Sequence, residues 1–426
     1  MKHERVDARL VTPATALLLV LMAIGAIAAI YRFAFGLGAS THLSDAYPWG
    51  LWIGIDVMSG VALAAGGFTT AALVYLFGGD KYYPFVRPAV LTGFLGYAFV
   101  GIGLLVDLAL PWHIWHAMIY WPEHSVMFEV AWCVMLYLTI LGLELFPSVL
   151  ERFGLTGKAM DRWRQLTDIF AVVAMAWFVG LMSLSWTWAL VTFIFFTLLA
   201  IFLRVVGPHR PGTPFMLIIA GVVFSTMHQS SLGSLFLLMK GKLDSLWWSP
   251  LLPMNFLLSA MAVGFAIVIF EATLSAKAFK RPIEVDALAG LGRWLCSALW
   301  IYFIFRLLDM LFQGNVGFTD AVSDKLGLFL VEIVLGVLVP AIMLLNRALR
   351  RNSAGLFSAA ALVVFGVVFN RCNVAWLAMH IPGKATYFPS FAEITITVSI
   401  VAALVFFFTL AVKTLPIFPQ HISQQT

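Results

Sequence analysis

With 62% hydrophobic and only 11% charged side chains, these 426 residues carry too little polar surface to enclose a water-soluble core of that size; soluble chains usually hold about 25% charged and 45–50% apolar residues. The net charge of +5 does not indicate nucleic acid, because the basic residues stand in short groups between apolar runs and build no patch that could follow a phosphate backbone. Mean hydropathy of +0.96 and the absence of any long polar segment point to one integral membrane domain over residues 1–426, an all-α polytopic membrane protein.

In chain order, apolar runs of spanning length predict helices at 14–35, 49–77, 88–110, 125–147, 165–182, 185–206, 213–238, 251–276, 290–313, 325–348, 354–379 and 391–414. The start, Met1 to Arg9 before an apolar run, has the outline of a signal peptide. The run continues to Phe35 without a small-residue cleavage site, so it reads as a retained first helix. The ambiguous stretch is Ile169 to Leu203, which carries no charge. As one helix it would extend about 52 Å at ~1.5 Å per residue, against a hydrocarbon core of roughly 30 Å. A turn near Ser183–Thr187 would divide it.

Charge arbitrates. Arg32, Arg306 and Arg371 fall inside helices; of the 23 other Lys and Arg residues, twelve helices put 19 on the side of both termini and 4 (Lys240, Lys242, Lys325, Lys384) on the other. Joining 165–206 into one helix changes the split to 13 and 10. The positive-inside rule selects about 12 transmembrane helices with N- and C-termini cytoplasmic.

On that topology the intramembrane polar groups gather toward the outer half. Asp56, Asp107, Glu129, His228, Arg306, Asp309, Glu332, Arg371 and Glu393 lie there, while Glu144 and Glu271 lie near the inner ends of their helices. A charge at the bilayer centre costs at least ~2.5–3.5 kcal/mol, so such a crowd requires partners or a wet cavity. Arg306 and Asp309, three apart, can neutralise each other. The outer loops are rich in aromatic residues and histidine: Tyr47-Pro48-Trp49-Gly50-Leu51-Trp52, then Trp112, His113, Trp115, His116, Tyr120, Trp121, Pro122, Glu123 and His124, then His380, Tyr387 and Phe388. Interfacial anchoring explains Trp and Tyr at a membrane boundary, and their density also suits a flat aromatic ligand or a docked partner.

Cys133, Cys296 and Cys372 are isolated in apolar segments, which leaves no metal or iron–sulfur motif in this chain. A bis-histidine haem needs two axial histidines within helices, and His228 is the single histidine well inside a predicted span.

Thr226-Met227-His228-Gln229-Ser230-Ser231-Leu232-Gly233-Ser234-Leu235 places seven polar or glycine positions in ten residues at the end of an apolar helix. On chemistry alone, Gln229 and the two serines could satisfy His228. The run resembles the signature of the NrfD/PsrC (polysulfide reductase membrane subunit) family, most nearly the HybB-type subunit of NiFe-hydrogenase complexes. Tyr47-Pro48-Trp49-Gly50-Leu51-Trp52-Ile53-Gly54-Ile55-Asp56, Val86-Arg87-Pro88-Ala89, Val126-Met127-Phe128-Glu129, Leu143-Glu144-Leu145-Phe146-Pro147 and Tyr387-Phe388-Pro389-Ser390-Phe391-Ala392-Glu393 extend the likeness along nearly the whole chain. The HybB-type pattern has ten helices, so the region about 173–217 reads as an extra helix pair.

What the resemblance implies is a core of two four-helix bundles plus flanking helices in the bacterial cytoplasmic membrane, with no haem or iron–sulfur cluster of its own. A quinone, menaquinone or ubiquinone, is the substrate, bound near the periplasmic face. The partners are a ferredoxin-like iron–sulfur subunit and a periplasmic catalytic subunit, a hydrogenase or another oxidoreductase. The quinone-site candidates are Trp49, Trp52, Asp56, His228, Gln229, Arg371 and Tyr387. The proton-transfer candidates are Asp56, Asp107, Glu129, Glu144, Glu271, Arg306, Asp309, Glu332 and Glu393, with Glu144 and Glu271 at the inner mouth of a route across the membrane. Two other classes fit the topology: a proton-coupled secondary transporter and a purely structural membrane anchor. Against the transporter stand the lack of an internal repeat and the crowding of charge on one face.

Overall fold

Inside a bilayer every backbone N–H and C=O must be satisfied within the chain, which restricts an apolar sequence of this kind to helices. The computed structural model describes residues 3–121, 125–206, 214–313, 324–381, 383 and 386–420 (the side chains of 204–206 excepted). Pro122, Glu123, His124, Arg210, Lys384 and the side chain of Arg204 therefore lie outside the described residues. Among those described, twelve helices are long and apolar enough to span a membrane: α1 (Pro13–Phe35), α2 (Trp52–Leu76), α3 (Asp80–Asp107), α4 (Val126–Arg152), α5 (Lys158–Ser183), α6 (Trp186–Leu203), α7 (Phe215–Met239), α8 (Leu252–Ala278), α9 (Val285–Phe312), α10 (Leu326–Leu345), α11 (Ser353–Leu377) and α12 (Phe391–Thr414). The chain is a multi-pass membrane protein.

The uncharged stretch after Ile169 is a hairpin. Leu184 adopts φ +51°, and the Ser185 N–H returns to the Gly180 carbonyl at 3.2 Å, closing α5 before α6 begins. Several helices run further on the side of the chain ends than their apolar runs: α3 begins at Asp80, α5 at Lys158 and α9 at Val285. A hydropathy run marks the part of a helix that lies in hydrocarbon, and these first turns are polar extensions beyond it.

Helices α2, α3, α4 and α7 pack as one four-helix bundle and α8, α9, α10 and α11 as a second, with α8 touching both α7 and α2 at the seam. The α1/α12 pair leans on α3, and the α5/α6 pair leans on α7. At the α10–α11 crossing, Gly336 and Gly366 meet backbone to backbone, so that a Cβ on Gly336 would lie 2.5 Å from the Gly366 Cα. Residues 52–59 of α2 and 373–377 of α11 are wound as wider π turns and touch each other across the seam. Further along α2, the Ala65 N–H bonds to Ala62 rather than Val61, and the Val61 carbonyl is taken instead by Gln229 Nε2 at 2.8 Å. The side chain of α7 thus repairs a break in the ladder of α2.

The chain ends meet. Strand β1 (His3–Glu4) pairs antiparallel with β2 (Phe418–Pro419), and Arg281 donates to the Pro419 carbonyl at 2.7 Å while lying over the Phe418 ring. Both ends therefore lie on one side of the bundles, here called the terminal side.

Candidate functional site

Three buried polar networks emerge on the helices. The first joins α1, α2, α3 and α12. Ser390 caps α12 with the Glu393 N–H, and the Glu393 carboxylate reaches back to the Ser390 N–H at 2.8 Å and the His42 N–H at 3.1 Å. The Tyr387 hydroxyl donates to the same carboxylate and accepts from the Leu51 N–H at 3.1 Å. Burial, then the carboxylate beside it, raises the Tyr387 phenol above its ordinary range. The Trp52 indole donates to the Glu393 carbonyl at 3.2 Å. One turn deeper, Asp56 accepts from Thr397 at 2.6 Å while its other oxygen has no partner, and Asp107 likewise keeps one buried oxygen unpaired. Arg32 of α1 donates to the Val106 carbonyl at 2.7 Å and the Leu108 carbonyl at 2.5 Å, satisfying the C-terminal end of α3.

The second network lies inside the first bundle. His228 on α7 is fully enclosed, its ring edge-on to Tyr97 at 5.4 Å, and among the described residues neither ring nitrogen has a partner. The hydroxyls of Tyr97, Tyr137 and Ser225 approach one another without closing a hydrogen bond, and Thr70 is also unpaired. Toward the opposite side from the termini, Ser231 donates to Glu129 at 2.5 Å. Toward the terminal side, Tyr137 and Glu144 flank Gly221, where a Cβ would lie 3.8 Å from the one and 3.7 Å from the other. Glu144 lines a cavity of about 120 Å³ with Tyr75, Tyr83, Arg87, Glu151 and Trp163. Trp49 rests on Phe236 at the end of α7, ring centroids 4.7 Å apart.

The third fills the second bundle and is nearly closed. Asp309 accepts from Ser249 at 2.6 Å, Asn255 at 2.8 Å, Gln313 at 2.6 Å and Arg306 at 3.2 Å. Glu332 accepts from Trp247 at 2.7 Å and from Asn370 and Asn373 at 2.8 Å each. Arg371 donates to Asn370 at 2.5 Å, Ser259 at 2.9 Å and the Phe256 carbonyl at 3.2 Å, with its guanidinium 3.7 Å from the Phe256 ring centroid. On the terminal side, Glu271 accepts from Thr92 at 2.5 Å and lines a cavity of about 60 Å³ between α3 and α8.

The structure thus brings together Trp52, Asp56, Tyr387 and Glu393, and holds His228, Gln229 and Glu129 elsewhere in the first bundle, each on its own neighbour: Tyr97, Val61 and Ser231. It sets Arg371, Glu332, Arg306 and Asp309 apart in the other bundle. Among the described residues no hydrogen bond, ion pair or ring contact joins His228 to Asp56 or Arg371: His228 packs on Tyr97, Asp56 bonds Thr397 and Arg371 bonds Asn370 and Ser259. The serines that could have satisfied His228 bond elsewhere, Ser230 and Ser231 each to the Met227 carbonyl at 2.8 Å. Sequence reasoning missed Arg32, Tyr97, Tyr137, Ser225 and Thr397; tyrosines in the middle of apolar runs were the available signal for two of them.

Fold and networks define a polytopic membrane protein with proton-capable groups buried in its helices. Residues 39–380 match the family described as "Polysulphide reductase, NrfD", and the chain belongs to that family. It is 32% identical over 432 aligned positions to a relative from Nitratidesulfovibrio vulgaris named only "Protein", covering 99% of this chain and 98% of that one. It is 29% identical to the "Probable Ni/Fe-hydrogenase 2 b-type cytochrome subunit" of Escherichia coli (92% of this chain, 88% of the relative) and 28% identical to the "Menaquinone reductase, integral membrane subunit" of N. vulgaris (92% and 88%). The last two are named as subunits of oxidoreductases, the menaquinone reductase one as its integral membrane subunit. The words "b-type cytochrome" imply haem, and the donor set here does not fit a bis-histidine haem. Among the described residues His228 alone lies within a span, packed on Tyr97, and no group of three His, Cys, Asp or Glu residues is placed to hold a metal.

Proposed function

We propose that this chain is the quinone-reacting membrane subunit of a respiratory oxidoreductase, without a redox centre of its own, in the bacterial cytoplasmic membrane with both termini cytoplasmic. Its partners in this reading are a ferredoxin-like iron–sulfur subunit on the face opposite the termini and a periplasmic catalytic subunit, a hydrogenase or a related enzyme. The relative named menaquinone reductase supports the substrate class, and the excess of basic residues on the terminal side supports the orientation.

The observation that carries the reading is His228. A buried polar group left unpaired costs about 1–3 kcal/mol, and here an imidazole with two unpaired nitrogens stands beside three unpaired hydroxyls within one bundle. An imidazole can donate at one nitrogen and accept at the other, the pair of roles that proton exchange with a quinone oxygen needs. Quinone reduction takes two electrons and two protons; electrons come from the partner, and this chain supplies hydrogen bonds and protons. His228 addresses a quinone oxygen with Gln229 and Glu129 nearby on the same bundle. Trp49, Trp52, Asp56 and Tyr387 form the neighbouring rim, and Arg371, with its guanidinium committed to Asn370, Ser259 and Phe256, positions α11 against α8. Glu144, Tyr137, Ser225 and Tyr97 make a second route for protons from the terminal side, with Glu271 at a separate mouth.

His228→Ala should lower quinone turnover by at least ~100-fold, the usual weight of a general acid or base, while an artificial-dye assay of the catalytic subunit is unchanged. Normal quinone turnover removes His228 from the mechanism. In proteoliposomes, Glu144→Gln should abolish charge movement coupled to turnover, and full charge movement in that variant rejects the route.

A further inference from the structure

We propose that a groove on the terminal side, between the α2–α3 turn and α9, holds the phosphate-bearing headgroup of an anionic phospholipid. Its walls are Leu73, Phe77, Gly79, Lys81, Tyr82, Arg293, Trp294 and Ser297, around a volume of about 440 Å³. The groove is built from both elements: a Cβ on Gly290 would lie 2.6 Å from the Tyr82 hydroxyl, so Tyr82 seats directly on α9. Lys81 lies over the Tyr82 ring at 4.8 Å, and the Trp294 ring stacks on Phe265 at 6.4 Å. Both cations are exposed, and among the described residues neither forms an ion pair with a protein carboxylate. Among the described residues no acidic side chain lines the groove; Asp80, next to Lys81 in sequence, is not part of its wall.

The order of chemistry along the groove is that of a lipid. Lys81 lies in the first turn of α3 and Arg293 in the third turn of α9, both toward the terminal-side ends of their helices. Leu73, Phe77, Trp294 and Ser297 continue from there toward the hydrocarbon. A free phosphate would find the cations but no use for the apolar wall, whereas a phosphodiester with its glycerol and first acyl carbons meets both. Basic pockets between transmembrane helices near a membrane surface are a recognised form of anionic headgroup binding, and Trp at this depth anchors the interface.

The test uses the full chain purified in mild detergent and reconstituted in nanodiscs, with retained phospholipid measured by native mass spectrometry. Lys81→Gln with Arg293→Gln should cut retained phosphatidylglycerol about fivefold for each cation removed, the equivalent of ~1 kcal/mol per basic residue at an anionic surface. Phosphatidylethanolamine retention should not change. Lys81→Arg with Arg293→Lys should retain the lipid, which separates charge from folding. Arg347→Gln with Arg351→Gln, two other exposed cations of the terminal side, should leave retention as it is. Undiminished phosphatidylglycerol in the first variant overturns the site, as does an equal loss in the Arg347/Arg351 control. Complete displacement of the lipid by excess inorganic phosphate would show a phosphate site and overturn the lipid assignment.

Discussion

The two four-helix bundles bury comparable polarity and treat it in opposite ways. In the second, Glu332, Asp309, Arg306 and Arg371 balance two negative against two positive charges, and every one of these side chains is hydrogen-bonded. Its leftover atoms are single ones, the Oδ1 of Asn255 and Asn373 and the Nε of Arg371. In the first bundle whole side chains stand unpaired: His228, Tyr97, Tyr137, Ser225 and Thr70. A saturated network fixes helices relative to one another, while an unsaturated one is a place for water, protons or a ligand to enter. Among the described residues one bundle is braced by its polar groups and the other leaves several of them unpaired.

Mutation can break that comparison. The largest effect is expected at Glu332. Glu332→Ala strands the buried N–H donors of Trp247, Asn370 and Asn373, a loss of about 3–5 kcal/mol at roughly 1–3 kcal/mol for each unsatisfied group. Thermal unfolding in detergent should show a clear drop in Tm. An unchanged Tm would mean that the network does not brace the second bundle.

Next comes Gly336→Ala. The added methyl would lie 2.5 Å from the Gly366 Cα, backbone that cannot rotate away, so α10 and α11 must separate. Overpacking of this kind costs about 1–3 kcal/mol. The Tm should fall less than in Glu332→Ala, and a larger fall would make the crossing, not the charge network, the main brace.

Tyr97→Phe sharpens the contrast from the other side. Its hydroxyl has no partner to lose, so stability should change by less than ~0.5 kcal/mol or rise slightly. Quinone turnover should nevertheless fall about tenfold or more if the hydroxyl passes protons to His228. A Tm loss as large as that of Glu332→Ala would show that the first bundle is braced by the same kind of network.

Much of this frame was legible in the sequence, and the reason lies in what each signal measures. Loop charges report sidedness, which separates α5 from α6 at the turn where Leu184 has its positive φ. Residue number along a helix reports how far a residue stands from the helix end, which assigned Asp56, His228 and Arg371 to the same half of the span. Spacing within a helix reported the Arg306–Asp309 contact, observed at 3.2 Å. None of these signals reports azimuth. Successive residues on a helix point about 100° apart, so Gln229 turns to Val61 while His228 turns to Tyr97, although the two adjoin in sequence. Partners from distant helices, such as Thr397 for Asp56 or Thr92 for Glu271, leave no local trace either.

The smallest expected effect tests the terminal side on which both bundles stand. His3, in strand β1, is held at a pKa of about 4 by burial and by the positive charge of Arg87, partly offset by Glu151. The paired chain ends thus hold the imidazole neutral, whereas a freed end would carry it near its ordinary value of 6.5. Below pH 6.5 the freed form binds the extra proton, so the contribution of His3 to the pairing is complete above 6.5 and declines as pH falls toward 4. Hydrogen exchange of residues 3–9 and 412–420 should therefore be faster at pH 5 than at pH 8, after correction for intrinsic rates. The carboxylate of Glu4, 3.8 Å from Arg281, shares the same strand, so His3→Phe supplies the control. Without the imidazole, protection between pH 5 and 8 should become flat. A pH dependence that survives His3→Phe would transfer the effect to Glu4 and its arginine.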